Sequence, residues 1–213
     1  MVVSPSPGGG AAGSMTPDPK IAPSAARVVP IDPPAIRIGG AKAIPRTFHQ
    51  DPRGFLIETL RADDDAVDGA RFRMTYSSVT LPGQFRDADR WHVHKVQTDR
   101  FVVVLGEMML ALCDQRPGSP THGHLDVVRM TGAPREAISS SRARDATTYL
   151  VPIPPGVLHC IGNLGTEPFL LQNFPTELYS PSDEGRVPFA SLPIPSLGRP
   201  FAWELVEGSA HAP

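Results

Sequence analysis

In RWHVHKVQTDRFVVVLG, residues 90–106, His92 and His94 stand two positions apart, and on a β-strand that spacing places both imidazoles on one face. Asp99 follows, then the apolar run Phe101–Leu105, and Gly106 closes the stretch. A second piece, PPGVLHCIGN at residues 154–163, holds a Pro-x-Gly turn that can deliver His159 from a neighbouring strand towards the pair.

Outward from these pieces the chain keeps the texture of short strands. Apolar or alternating runs recur at Phe55–Leu60, Arg71–Leu81, Met108–Cys113, Leu125–Met130, Tyr149–Ile153 and Phe169–Phe174, each bounded by Gly, Pro or Asp. Val, Ile, Phe and Thr are frequent in them, which favours β-structure. Many short strands at regular spacing imply a sandwich or a barrel. The run FVVVL-GE-MMLALC is expected to form a hairpin about Gly106. Asp63–Ala70 has room for one helical turn, and the polar stretch Arg135–Thr148 is expected to be a long exposed loop. Residues 1–30, rich in Pro, Gly, Ser and Ala, bury too little apolar area to offset their ordering entropy and read as a disordered leader, within which Met15 is a second possible start. Residues 31–207 form the barrel domain, and residues 208–213 a loose tail.

Composition narrows the partners. The chain has 213 residues and a formal net charge of -2, so no basic block exists to neutralise nucleic-acid phosphates. No apolar stretch is long enough to cross a bilayer, and no signal peptide is visible, which points to a soluble cytoplasmic protein without a membrane partner. Cys113 and Cys160 border apolar runs and read as buried free thiols. His122 and His124 form a pair with no supporting cluster, so a structural loop role is expected for them. His49 and His211 read as solvent-facing.

The two histidine pieces resemble the two cupin motifs. The first reads His92-Val-His94, four residues, Asp99, six residues, Gly106, with Asp in place of the usual Glu; the second matches at every fixed position from Pro154 to Asn163. The resemblance implies an all-β fold, the antiparallel double-stranded β-helix or jelly-roll barrel, with the histidines pointing inwards. His92, His94, His159 and Asp99 form a set suited to Fe, Mn, Ni, Zn or Cu, with Gln97 as an alternative oxygen ligand. The other reading of the same residues is a metal-free barrel in which they contact substrate.

Three more stretches narrow the resemblance. DPRGFLIE at 51–58, DQRPGSPTHG at 114–123, and the closing Leu178-Tyr179-Ser180-Pro181 with Glu184 resemble signatures of the dTDP-4-dehydrorhamnose 3,5-epimerase family, in order, over about Arg46–Arg186. That resemblance implies an isomerase of carbohydrate biosynthesis, a homodimer, and a thymidine-diphospho 4-keto sugar as substrate. It places the base that removes the proton beside the ketone at His92. Arg53, Glu58 and either Arg86 or Arg90 become contacts to the diphosphate and nucleotide, with Trp91 or Phe55 available for stacking and Gln97 near the substrate. The chain departs from the family where chemistry is done. Asp99 takes the place of the enolate-stabilising lysine, Asn173 takes that of the proton-returning tyrosine, and the acid that orients the base has no obvious counterpart. Three readings follow: an epimerase acting through His92, Asp99 and Asn173 positions, a metal-dependent oxygenase, isomerase or cyclase, and a non-catalytic nucleotide-sugar binding module.

Overall fold

Alternation with a period of two builds the sheets. In EMMLALCD, residues 107–114, Met108, Leu110 and Leu112 enter one apolar cluster while Met109, Ala111 and Cys113 enter another, so this strand is buried on both faces. The computed structural model describes residues 27–134 and 147–208. In chain order the strands are β1 (Ile44–Arg46), β2 (Phe48–Asp51), β3 (Gly54–Ile57), β4 (Tyr76–Thr80), β5 (Arg90–His94), β6 (Asp99–Leu105), β7 (Glu107–Asp114), β8 (Leu125–Thr131), β9 (Thr148–Ile153), β10 (Val157–Gly162), β11 (Phe169–Asn173) and β12 (Glu184–Pro188).

Two five-stranded antiparallel sheets result, in the orders β1-β9-β6-β11-β4 and β12-β5-β10-β7-β8, and β2 and β3 form a separate hairpin. The inner core lies between the sheets: Phe101, Val103, Val151, Phe169 and Leu171 of the first pack on Met108, Leu110, Val128 and Ile161 of the second. The outer face of the second sheet is covered by the C-terminal segment, which brings Phe189, Phe201 and Trp203 onto Trp91, Leu158 and Cys160. Truncating a fully buried member such as Leu110 to Ala costs about 2–5 kcal/mol. This all-antiparallel pair of sheets is the jelly-roll architecture that the histidine motifs imply.

Several local expectations are corrected. Gly106 is not a hairpin tip: β6 and β7 lie in different sheets, and the chain crosses between them there. Gly106 has φ +77°, and a Cβ on it would stand 2.8 Å from the Pro168 carbonyl oxygen, so the corner needs glycine for both conformation and space. β7 forms its hairpin with β8, with residues 115–124 between them, and pairs on its other edge with β10. The run 71–81 is strand only from Tyr76 to Thr80, and the turn expected in 63–70 is a single 3₁₀ turn at Asp65–Val67.

At the leader's end, Val28 exchanges backbone hydrogen bonds with Leu205 and Glu207, so residues 27–30 belong to the fold. The rest of the leader, residues 1–26, lies outside the described residues, as do residues 209–213 of the tail with His211. The centre of the expected loop, residues 135–146, is also outside them. Thr148 at that loop's end is fully buried in β9, its hydroxyl donating to the carbonyls of Val103 and Thr131. Cys113 and Cys160 are buried free thiols, as expected; burial pushes the Cys113 thiol up to about 11. His49, His122 and His124 are exposed. Among the described residues, no helix is long and apolar enough to cross a membrane.

Candidate active site

The second sheet brings the histidines together. His92 and His94 alternate inwards from β5, and the antiparallel register places His159 of β10 directly beside His92. On the other side of β5, Arg186 of β12 is the cross-strand neighbour of His92, and Glu184 that of His94. The ring centroids of His92 and His159 are 5.1 Å apart and nearly parallel. The first sheet supplies the facing wall. Asp99 from β6, Asn173 from β11 and Tyr76 from β4 point at the imidazoles, with Asn173 Nδ2 donating both to Asp99 Oδ1 at 2.7 Å and to the Tyr76 phenolic oxygen at 2.8 Å. Between the walls lies a cavity of about 270 Å³ that reaches His92, His159, Asp99, Tyr76, Arg86 and Arg186.

Partner chemistry fixes the tautomers. A carbonyl and a carboxylate can only accept, and a guanidinium can only donate. His159 Nδ1 therefore donates to the Val157 carbonyl at 3.2 Å, and His94 Nδ1 donates to Asp183 Oδ2 at 3.0 Å. Both rings thus turn Nε2 inwards, 3.3 and 3.4 Å from Asp99 Oδ2. His92 is the reverse case. Arg186 Nη1 donates into its Nδ1 at 3.0 Å, which leaves the proton on Nε2, a buried atom that stands 3.2 Å from Glu184 Oε1 without the alignment of a hydrogen bond.

The electrostatics follow from these contacts. Burial, followed by the neighbouring His159 and Arg186, pushes the His92 pKa down to about 3, so this ring is neutral at physiological pH. Burial disfavours the charged form of His94, but the carboxylates of Asp99 and Asp183 outweigh it and hold its pKa above the ordinary histidine value. Burial alone would raise the Asp99 pKa; hydrogen bonds and charge from His159 and His94 bring it far below the usual carboxylate range.

The cluster brings together His92, His94, His159, Asp99, Gln97 and Asn173. Gln97 is buried, its amide nitrogen 3.0 Å from His94 Nε2 and 2.8 Å from Asp99 Oδ1. Other expected residues are elsewhere. Trp91 is not a stacking platform: one residue out of phase with the histidines, it faces the outer core and packs edge-on against Phe189 with centroids 5.0 Å apart. Arg53 stands on the β2–β3 turn with its side chain 90% exposed, paired with Asp51. Glu58 pairs with Arg61, Phe55 stacks on Phe48, and Arg90 pairs with its neighbour Asp89; none of these lines the cavity. Of the alternatives Arg86 and Arg90, it is Arg86 that lies at the cavity, donating to Thr80 Oγ1 and the Val79 carbonyl, and among the described residues no carboxylate pairs with it.

Four site residues escaped the sequence reading: Tyr76, Asp183, Glu184 in its contact with the histidines, and Arg186. Alternation would have found the last two, since Glu184 and Arg186 stand two apart just as His92 and His94 do.

Comparison with known proteins adds the family. No protein-family model matches the chain. It is 34% identical over 142 residues to the Probable low-salt glycan biosynthesis epimerase Agl13 of Haloferax volcanii, covering 65% of this chain and 80% of that protein. The chain belongs to the dTDP-4-dehydrorhamnose 3,5-epimerase family of cupins. Solved epimerase-family structures share the fold. A dTDP sugar isomerase of Desulfovibrio desulfuricans G20 superposes with a TM-score of 0.61 at 26% identity, over 78% of this chain and 92% of that one. The dTDP-6-deoxy-D-glucose-3,5-epimerase of Legionella pneumophila, solved with dTDP-4-keto-L-rhamnose, gives 0.58 at 25% identity, over 76% and 79%. A likeness to sugar epimerases acting on nucleotide sugars is therefore established for this epimerase-family chain.

The donor set also fits a divalent transition metal. His94 and His159 have Nδ1 anchored and Nε2 turned towards Asp99, which is how metal-binding imidazoles are oriented. Bonds of about 2.0–2.2 Å at tetrahedral to octahedral angles need neighbouring donor atoms about 3.0–3.5 Å apart, and the separations of 3.3 and 3.4 Å to Asp99 fall in that range. His92 belongs to the same cluster, the candidate ligand atoms of the three rings lying within 4.8 Å of one another, but its lone pair is taken by Arg186.

Proposed function

We propose that this protein is an epimerase of a 4-keto-6-deoxy sugar carried on thymidine diphosphate, working by proton abstraction beside the ketone. The observation that carries this reading is the pair of opposed walls, imidazoles on one sheet and Asp99 with Tyr76 on the other, around a cavity reached by two arginines. Its volume is at the low end for small-molecule sites, which suits a sugar and leaves the nucleotide outside. Arg86, which no carboxylate pairs with among the described residues, is the phosphate contact. The bound dTDP-sugar of the Legionella pneumophila relative supports the substrate class.

The hydrogen bonds support roles that differ from those expected. His92 does not serve as the base, because its lone pair is held by Arg186. His159 does, in the form without a proton on Nε2: that atom faces the cavity 3.3 Å from Asp99 Oδ2, and the Asp99 carboxylate accepts from the Nε2–H that forms and stabilises the imidazolium. The negative charge at Asp99 is thus matched to the base rather than to the enolate. The buried, neutral His92 Nε2–H, which makes no aligned hydrogen bond to Glu184 Oε1 at 3.2 Å, is the donor for the enolate oxygen. Incubation of the purified protein with dTDP-4-keto-6-deoxyglucose in D2O tests this: deuterium is expected at C3 or C5, and absence of exchange with tight binding of the nucleotide sugar would leave the binding-module reading in its place.

A second reading rests on the anchored rings of His94 and His159. With Asp99 they would hold a divalent transition metal, and a bound ion would supply Lewis acidity towards a carbonyl oxygen. Both readings use the same lone pair of His159, so they are alternatives. Elemental analysis of tag-free protein separates them: stoichiometric metal that is lost in His159→Ala supports the second. The homodimer is likewise a proposal, checked by sedimentation.

A further inference from the structure

We propose that Tyr76 is the catalytic proton donor, acting on the face of the sugar opposite His159. This rests on the epimerase reading above and names a residue that reading leaves open: the group that returns a proton.

Inverting a carbon beside a ketone takes two groups. One removes the proton from one face, and the other delivers a proton to the opposite face of the planar enolate. The imidazole of His159 belongs to the second sheet and Tyr76 to the first, so a sugar ring seated between the sheets meets them from opposite sides. Position 173, where the family resemblance places a tyrosine, holds an amide with no acidic proton. The antiparallel register of β11 and β4 pairs Asn173 directly with Tyr76, and its Nδ2 donates to the Tyr76 oxygen at 2.8 Å. That contact uses an acceptor lone pair of the phenol and leaves its O–H free to point into the cavity. The phenol therefore enters the site from the strand next to the one expected.

The other candidates on the cavity wall fit less well. Asp87 is paired with Arg186 at 2.8 Å, Arg86 and Arg186 do not give up protons, and His92 Nε2–H belongs to a ring whose other nitrogen is engaged. Burial, and then the nearby Asp99 charge, raise the Tyr76 pKa, which keeps the phenol protonated until the enolate takes its proton.

The step balances as follows. His159 Nε2 takes the C–H proton, and that electron pair moves into the carbonyl to give the enolate. The enolate collapses to the ketone as its carbon takes the Tyr76 proton on the other face. The phenolate regains a proton from water at the cavity mouth, and His159 releases its own to solvent.

The test separates proton removal from inversion. Wild-type and Tyr76→Phe proteins are incubated with dTDP-4-keto-6-deoxyglucose in D2O, and deuterium in recovered substrate is measured alongside epimerised product. Tyr76→Phe is expected to keep substrate exchange within about tenfold while losing product at least 100-fold, in line with a lost general acid. Retained exchange is itself the control for folding, and Tyr76 is 43% exposed on an edge strand, so loss of one hydroxyl leaves the packing intact. Tyr76→Gln gives the second arm. It keeps an acceptor for Asn173 but carries no acidic proton, and it is expected to show the same split. Product formed by either variant within about threefold of wild type, or equal loss of exchange and product in both, overturns the role of Tyr76. Absence of exchange by the wild type removes the epimerase reading itself, and the role with it.

Discussion

Asp183 ties His94 to the chain that follows it. Its Oδ2 accepts from His94 Nδ1 at 3.0 Å, while its Oδ1 accepts from the backbone N–H groups of Lys95 at 3.0 Å and Val96 at 2.7 Å. One carboxylate thus sets both the imidazole and the turn that carries the chain from β5 to β6, where Asp99 begins. Burial raises its pKa, but the N–H groups of Val96 and Gln97 and the His94 ring bring it below the ordinary value on balance. The stability it contributes is present above the unfolded carboxylate pKa and is lost as pH falls through the folded value. Asp183→Ala is expected to cost on the order of 2–3 kcal/mol in urea unfolding at neutral pH, and Asp183→Asn less. An Ala variant as stable as wild type would show that the turn holds itself.

His92 carries the opposite sign of linkage for a histidine. Its folded pKa of about 3 lies below the unfolded value, so the unfolded chain takes up a proton that the folded chain refuses. Its contribution is therefore complete above the unfolded pKa and declines as pH falls from about 6.5 towards 3. In an NMR titration the His92 ring is expected to stay neutral from pH 8 down to pH 4. Arg186→Met removes one of the causes and moves the transition upwards, short of the ordinary value because burial and His159 remain. A His92 transition near 6.5 in the wild type would contradict the geometry.

Asp114 shows that a family-like motif can be architecture. In DQRPGSPTHG its carboxylate accepts from Arg116 Nη2 at 2.7 Å, Ser119 Oγ at 2.6 Å and Thr121 Oγ1 at 2.6 Å, so the motif residues knit their own loop. Arg116 also donates to the Gly39 carbonyl, fastening the loop to the N-terminal segment. Asp114→Ala removes the acceptor shared by five donor groups, the backbone N–H, Nε and Nη2 of Arg116 and the hydroxyls of Ser119 and Thr121, and is expected to destabilise by about 2–4 kcal/mol, with deuterium exchange on the sugar nucleotide unchanged. Loss of exchange at unchanged stability would instead make this loop part of the site.

The histidine cluster was legible because its information is local: two residues apart on one strand, and a Pro-x-Gly turn before the third. The barrel was legible from strand rhythm for the same reason. Asp183 and Tyr76 were not, because what places them is register between distant strands. Asp183 meets His94 across 89 residues, and Tyr76 meets Asn173 across 97. The same gap explains Gly106: a glycine between two apolar runs reads alike whether the runs pair or part, and only the strand order tells them apart. Trp91 differs, because its outward direction is a local property: it stands one residue out of phase with His92 on the same strand.

Arg100 links the stability of the fold to the arrangement of the site. It is fully buried, and its guanidinium donates only to carbonyls: Phe174 at 2.5 Å, Val67 at 3.1 Å, Asp68 at 2.7 Å and Arg71 at 2.9 Å. Its backbone N–H donates to Asn173 Oδ1 at 2.9 Å, so the residue that pins the 67–71 segment also fixes the amide shared by Asp99 and Tyr76. A lysine has no planar fork to reach four carbonyls. Arg100→Lys and Arg100→Met are both expected to lose on the order of 3 kcal/mol or more, because the carbonyls are left without donors in a buried site. Trypsin is expected to cut the loosened variants first at Arg61, Arg71 or Arg73. Cleavage of both variants at the wild-type rate and unchanged urea midpoints would show that the segment is held by Val67 and its apolar contacts alone.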